Sequence, residues 1–108
     1  MDTNNIKNIE DTLAYPNKDV FKLQFSYGEF DMVVFDPAQL NCDIYEVKHS
    51  LQCIPDQYRF LINEELSQKT AFRYGPIQHK YVLYRGATKT LDNGIIYLNV
   101  EDYLNALK

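Results

Sequence analysis

The chain has 108 residues, 45% of them hydrophobic and 14% aromatic, with a formal net charge of -4. That length supports one hydrophobic core and not two, and the acidic balance, opposite in sign to that of a usual stand-alone nucleic-acid binder, weighs against tight DNA binding by this chain alone. No leader-like segment and no apolar run of membrane-spanning length is present, so the expectation is a cytoplasmic protein with no membrane partner, in which Cys42 and Cys53 are reduced core residues.

In chain order, Ile6, Ile9 and Leu13 recur at helical spacing and predict a short amphipathic helix ended by Pro16. This polar lead reads as the remnant of a linker, so the chain is expected to be one domain, 1–108, of a longer protein. VFKLQF (20–25) alternates apolar and polar residues as a strand does, and Gly28 marks a turn. Two further strands, 30–35 and 44–48, are joined through DPAQLN, whose Asp-Pro and Asn favour a bend, so an antiparallel hairpin follows. Pro55 and Asp56 suit a first helical turn. Ile54, Tyr58, Leu61, Ile62 and Leu66 then keep a helical period up to the stop at Gly75-Pro76.

KYVLY (80–84) and GIIYLN (94–99), the latter after an Asp-Asn-Gly turn, predict two more strands. VEDYLNAL closes the chain as a helix expected to bury Tyr103, Leu104 and Leu107. The order is a helix, a three-strand meander, a crossover helix, one or two strands and a C-terminal helix. It predicts an α/β fold with a mixed central sheet, the long helix crossing right-handedly from the strand of Glu46 to that of Val82.

Three charged residues interrupt the apolar hairpin. Alternation along a strand sends Glu46 and Lys48 to the same face, about 6.5 to 7 Å apart. If the hairpin is symmetric about Ala38 and Gln39, Asp31 lies opposite Glu46 with Cβ atoms about 4.5 to 5.5 Å apart on that face. Two carboxylates so close repel, and a divalent cation between them resolves the conflict. Hard oxygen donors with room for water and phosphate oxygens suit Mg2+ or Mn2+, and a lysine one strand step away can orient a water or stabilise charge on a phosphate. The layout suits metal-assisted phosphodiester hydrolysis. An alternative leaves Asp31 and Glu46 on the solvated face of a half-open sheet, with Lys48 as their ion-pair partner.

FDMVVFD followed by DIYEVKHS, a helix and an apolar strand resembles the PD-(D/E)xK nuclease superfamily. The resemblance implies a restriction-endonuclease-like, three-layer α/β/α core, in which Asp31 and Glu46 hold the metal and Lys48 serves catalysis. It also offers two additional positions: Glu10, as an acid on the first helix, and Gln57, as a glutamine on the helix after ExK. EFDMVV, EVKHS, PDQYRFL, KYVLYRG and GIIYLNVEDYLNAL together resemble the C-terminal domain of bacterial AAA-type ATPases of unknown role. This implies an N-terminal ATPase module as a partner in the full-length protein and DNA or RNA as a substrate. The chain itself carries no G-x-x-x-x-G-K-[ST] phosphate loop. It also departs from the superfamily pattern in having Phe30, rather than proline, before Asp31. The second function the resemblance allows is an inactive nuclease fold that docks the ATPase module or another protein.

Outside the hairpin, His49 follows ExK and points away from Lys48 if the strand continues, which favours a surface or core role. His79 has no partner motif. Tyr27, Tyr45, Tyr74, Tyr81, Tyr84 and Tyr97 read as packing groups with wet hydroxyls. Arg59, Lys69 and Arg73 share their helix with Glu64 and Glu65 as a mixed solvated face. Arg85, at the end of its strand, is a further candidate for a phosphate contact.

Overall fold

The computed structural model describes residues 17–107. The predicted N-terminal helix, with Ile6, Ile9, Glu10 and Leu13, lies outside the described residues. The elements are β1 (Asp19–Phe25), β2 (Gly28–Asp36), β3 (Asn41–Val47), a 3-10 turn (Pro55–Tyr58), α1 (Glu64–Tyr74), β4 (Ile77–Tyr84), β5 (Lys89–Thr90), β6 (Ile96–Asn99) and α2 (Val100–Ala106). They form a mixed α/β fold around one six-stranded sheet in the order β1-β2-β3-β4-β6-β5. β1, β2 and β3 are an antiparallel meander, β3, β4 and β6 run parallel, and β5 closes the far edge antiparallel to β6.

Side-chain alternation divides the core between the two faces of the sheet. Phe30, Val33, Cys42, Ile44, Val82, Tyr84 and Tyr97 meet Leu61 and Leu66 on one side. Val20, Val34, Tyr45 and Leu83 form a smaller cluster on the other, against which Tyr103 of α2 packs. α1 thus covers one face through Leu66, and α2 lies on the opposite one. Cys42 and Cys53 are free thiols, and burial pushes Cys42 up to about 11, an inert core thiol.

The hairpin register is the symmetric one. Met32 pairs with Tyr45, Val33 with Ile44 and Asp36 with Asn41, leaving Pro37 to Leu40 as the bend. Asp36 organises it: its Oδ1 accepts from the amides of Ala38 at 3.0 Å and Gln39 at 3.1 Å.

Three expectations are corrected. The helix predicted from Pro55 to the glycine stop is two pieces. A 3-10 turn ends at Tyr58, and α1 begins only at Glu64, because Asn63 caps it by accepting from the Leu66 amide at 3.0 Å, with Glu64 and Glu65 at the positive end. Ile54 and Ile62 consequently stay exposed, while Leu61 and Leu66 are fully buried. In α2 only Tyr103 of the expected trio joins the core, since Leu104 is half exposed. Strand β5 is only two residues long and was not anticipated, because Lys89-Thr90 is too short to show a period.

Asn99, between β6 and α2, holds this end together. Its Oδ1 accepts from the amides of Glu101 and Asp102, and its Nδ2 donates to the carbonyls of Arg85 at 3.3 Å and Gly86 at 2.7 Å. Asn99→Ala removes the cap and the clamp together, with an expected cost of about 1 to 3 kcal/mol. Asn99→Asp keeps the cap and loses only the two donations, so a urea-unfolding midpoint between those of wild type and Asn99→Ala is the expected result.

Candidate functional site

The carboxyl ends of the three parallel strands β3, β4 and β6 lie on the side of the sheet where β2 begins. In open α/β sheets this is where ligands collect. Across this end, Glu46 is level with Val82, and Val82 with Tyr97. Extending the β2–β3 ladder one pair beyond Met32 and Tyr45 sets Asp31 opposite Glu46.

A β-bulge aims Asp31. Phe21 pairs with Val33 and Leu23 with Phe30, so Asp31 and Met32 both stand opposite Lys22. The extra residue lets Phe30 and Val33 enter one core while Met32 packs with the other. The paired register of β2 and β3 ends at Met32 and Tyr45, and beyond it the Val47 amide donates to Asp31 Oδ2 at 2.7 Å. Asp31 is therefore held at the end of the hairpin, half-buried, with its second oxygen not engaged by that bond.

Glu46 is 2% exposed, and its Oε2 has no hydrogen-bond partner among the described residues. Burial of an acid with one oxygen left unpartnered disfavours its charge. Burial pushes Glu46 up to about 8, the adjacent Asp31 carboxyl adds to the rise, and the Lys48 ammonium pulls against it. The alternative of a solvated Glu46 ion-paired to Lys48 is thereby corrected: Glu46 lies in the core layer, and no ion pair joins it to Lys48. The face is closed because the segment carrying Leu61 and α1 pack on it.

Lys48 follows the last residue of β3, half-buried, and its amide still donates to the Leu83 carbonyl at 2.8 Å, which continues the register by one residue. The structure thus brings Asp31, Glu46 and Lys48 to one end of the hairpin. It does not bring Gln57 into the group by any hydrogen bond. Gln57 Oε1 accepts from the Ile54 amide at 3.0 Å and from the Tyr97 hydroxyl at 2.7 Å, so this side chain braces the loop after β3 against β6. Burial pushes Tyr97 up to about 12, keeping its hydroxyl a neutral donor. Glu10 lies outside the described residues.

Among the described residues no group of three or more His, Cys, Asp or Glu side chains could hold a metal ion. The donor set is two carboxylates. A buried carboxylate oxygen without a partner, beside a second carboxylate, fits a hard divalent cation that completes its shell with water and phosphate oxygens, as Mg2+ commonly does. His79 is committed elsewhere: its Nδ1 lies 2.9 Å from Asp43 Oδ1, and its ring stacks on Tyr81. Neither the bulge nor the Asp31 bond to Val47 has a sequence signature. The brace at Tyr97 had a weak one, a single tyrosine in an otherwise aliphatic strand.

No protein-family model matches the chain, and neither the curated proteins nor the solved structures contain a significant match. No helix among the described residues is long and apolar enough to cross a membrane.

Proposed function

We propose that this chain is a nuclease-like domain of the restriction-endonuclease type, the tail of a bacterial ATPase-associated protein, with a Mg2+- or Mn2+-dependent phosphodiesterase site at Asp31, Glu46 and Lys48. The observation that carries the reading is the unpartnered Oε2 of Glu46, a side chain 2% exposed that lies beside the Asp31 carboxyl. Asp31 and Glu46 would hold the cation, which when bound supplies Lewis acidity at a phosphate oxygen and a more acidic water. Lys48 places a positive charge one strand step from Glu46, suited to orienting the water or to stabilising charge on the phosphate. The strand order, a meander followed by a parallel crossover, supports the restriction-endonuclease-like assignment.

One observation favours the second reading, an inactive module that docks an ATPase or another protein: Asp31 already has a structural role as acceptor for the Val47 amide. Two variants separate the roles. Asp31→Asn retains a side-chain oxygen for that bond and loses the charge, whereas Asp31→Ala loses both. The expected result is Mn2+ binding by wild type, measured calorimetrically, at least tenfold weaker in both variants, with only Asp31→Ala destabilised, by about 1 to 2 kcal/mol. Lys48→Ala should keep the metal and lose cleavage of DNA or RNA. Equal Mn2+ affinity in wild type and Asp31→Asn sinks the metal site.

A further inference from the structure

Strand topology, rather than sequence, sets the backbones of Lys48, His49 and Arg85 side by side at the sheet end that carries Asp31 and Glu46. Lys48 and His49 leave the carboxyl end of β3, and Arg85 leaves the carboxyl end of its parallel neighbour β4. Backbone hydrogen bonds stitch the two exits together: Lys48 N–H donates to the Leu83 carbonyl at 2.8 Å, and Arg85 N–H to the Ser50 carbonyl at 2.9 Å. The carbonyl of Arg85 is fixed from the other side by Asn99 Nδ2, so the backbone at Arg85 is held at both ends.

Two other basic side chains are paired locally. Lys69 pairs with Glu65 and Arg59 with Asp56, each within a turn of its own segment. Lys48, His49 and Arg85 have no ion-pair partner among the described residues, and His49 and Arg85 are exposed. Basic side chains without ion-pair partners among the described residues, on a fixed backbone beside the Asp31 and Glu46 carboxyls, suit a ligand that carries negative charge on both sides of its reacting centre.

We infer that Arg85, with His49 and Lys48, forms a phosphate-contacting edge that lays the phosphodiester backbone of a nucleic acid across the ends of β3 and β4, with Arg85 holding a phosphate next to the one at Asp31 and Glu46. The inference rests on the phosphodiesterase reading and adds the surface that positions the substrate. It also accounts for binding by an acidic chain, since contact is made by a local edge and not by net charge. Recognition is through phosphates and is therefore independent of base sequence. Arg85 is a positioning residue for the strand, and its planar guanidinium is suited to gripping a phosphate through two N–H groups.

The test is fluorescence anisotropy with labelled single-stranded and double-stranded DNA and single-stranded RNA at low salt in EDTA, so that no metal contributes. Arg85→Gln is compared with Arg73→Gln, which makes the same charge change on α1. Arg85→Gln is expected to weaken binding about fivefold or more and to reduce the salt slope by about one, while Arg73→Gln stays within about twofold. Mn2+ affinity should be unchanged in Arg85→Gln. Equal weakening by the two variants, or no binding by wild type to any of the three probes, overturns the proposal. An Arg85 effect in a protein that fails to bind Mn2+ keeps the phosphate edge and removes the metal reading instead.

Discussion

Glu46→Gln is expected to stabilise the metal-free protein at pH 8 and to erase a pH dependence that wild type shows. In the folded protein burial and the Asp31 carboxyl raise Glu46 from its ordinary value of 4.5 to about 8. Between those values the folded state binds a proton that the unfolded state has released, so stability falls as pH rises. The contribution is fully present below about pH 4.5 and lost by about pH 8, with a slope of up to about 1.4 kcal/mol per pH unit. Glutamine keeps the shape of the neutral acid and cannot ionise. The variant should therefore match wild type near pH 4 and exceed it at pH 8 by on the order of 4 kcal/mol.

Urea unfolding across that range is the measurement, and parallel curves for the two proteins would show that Glu46 ionises freely and is not buried as described. The same titration bears on the metal. Ligation needs the carboxylate, so Mn2+ binding by wild type should release close to one proton at neutral pH and tighten toward pH 8, and Glu46→Gln should lose it.

The largest loss of stability is expected from Gly75→Ala. Gly75 ends α1 with φ of 83° and ψ of 177°, a backbone region open essentially to glycine alone. A Cβ there would lie 1.8 Å from the Leu40 carbonyl oxygen in the hairpin bend. The crowding has a purpose: the crossover returns at this point, Pro76 C=O accepts from the Cys42 amide at 3.0 Å, and the parallel pairing begins at Cys42 and Ile77. Relief requires the bend and the start of β4 to separate, which disturbs the register that sets Val82 beside Glu46.

A cost on the order of 3 kcal/mol or more is expected, a large share of the stability of a small domain. Gly94→Ala is the control. Gly94 also has positive φ, 89°, but nothing lies within 4 Å of the added carbon, so about 1 kcal/mol is expected. Comparable midpoints for the two variants in thermal unfolding would show that the contact at Leu40 does not constrain the junction.

Much of this arrangement was legible in the residues. Alternation in β1, β2 and β3 follows from side chains that face a core on one or both sides of a pleat. The symmetric bend, with Asp36 and Asn41 at its ends, was enough to deduce the pairing of Met32 with Tyr45 and so the level of Asp31 and Glu46. The break before α1 was written in Asn63-Glu64-Glu65, a capping signature outweighed by the apolar period of Tyr58, Leu61 and Ile62. Those apolar residues lie in a 3-10 turn and its exit, where hydrophobic contact with the sheet decides the path.

By itself the sequence determined the types of β1 to β4, β6, α1 and α2, the hairpin register and the spacing of Glu46 and Lys48, because these depend on local backbone geometry and on contacts between chain neighbours. Tertiary structure alone decided three things. The bulge at Asp31 and Met32 exists only in the pairing of β2 with β1, where two residues stand opposite Lys22. The burial of Glu46 depends on Leu61 and α1 closing over that face of the sheet. The meeting of Arg85 with Lys48 and His49 needs the parallel return of β4, which places residues 37 positions apart side by side. Such contacts cross long stretches of chain, and no local pattern encodes them.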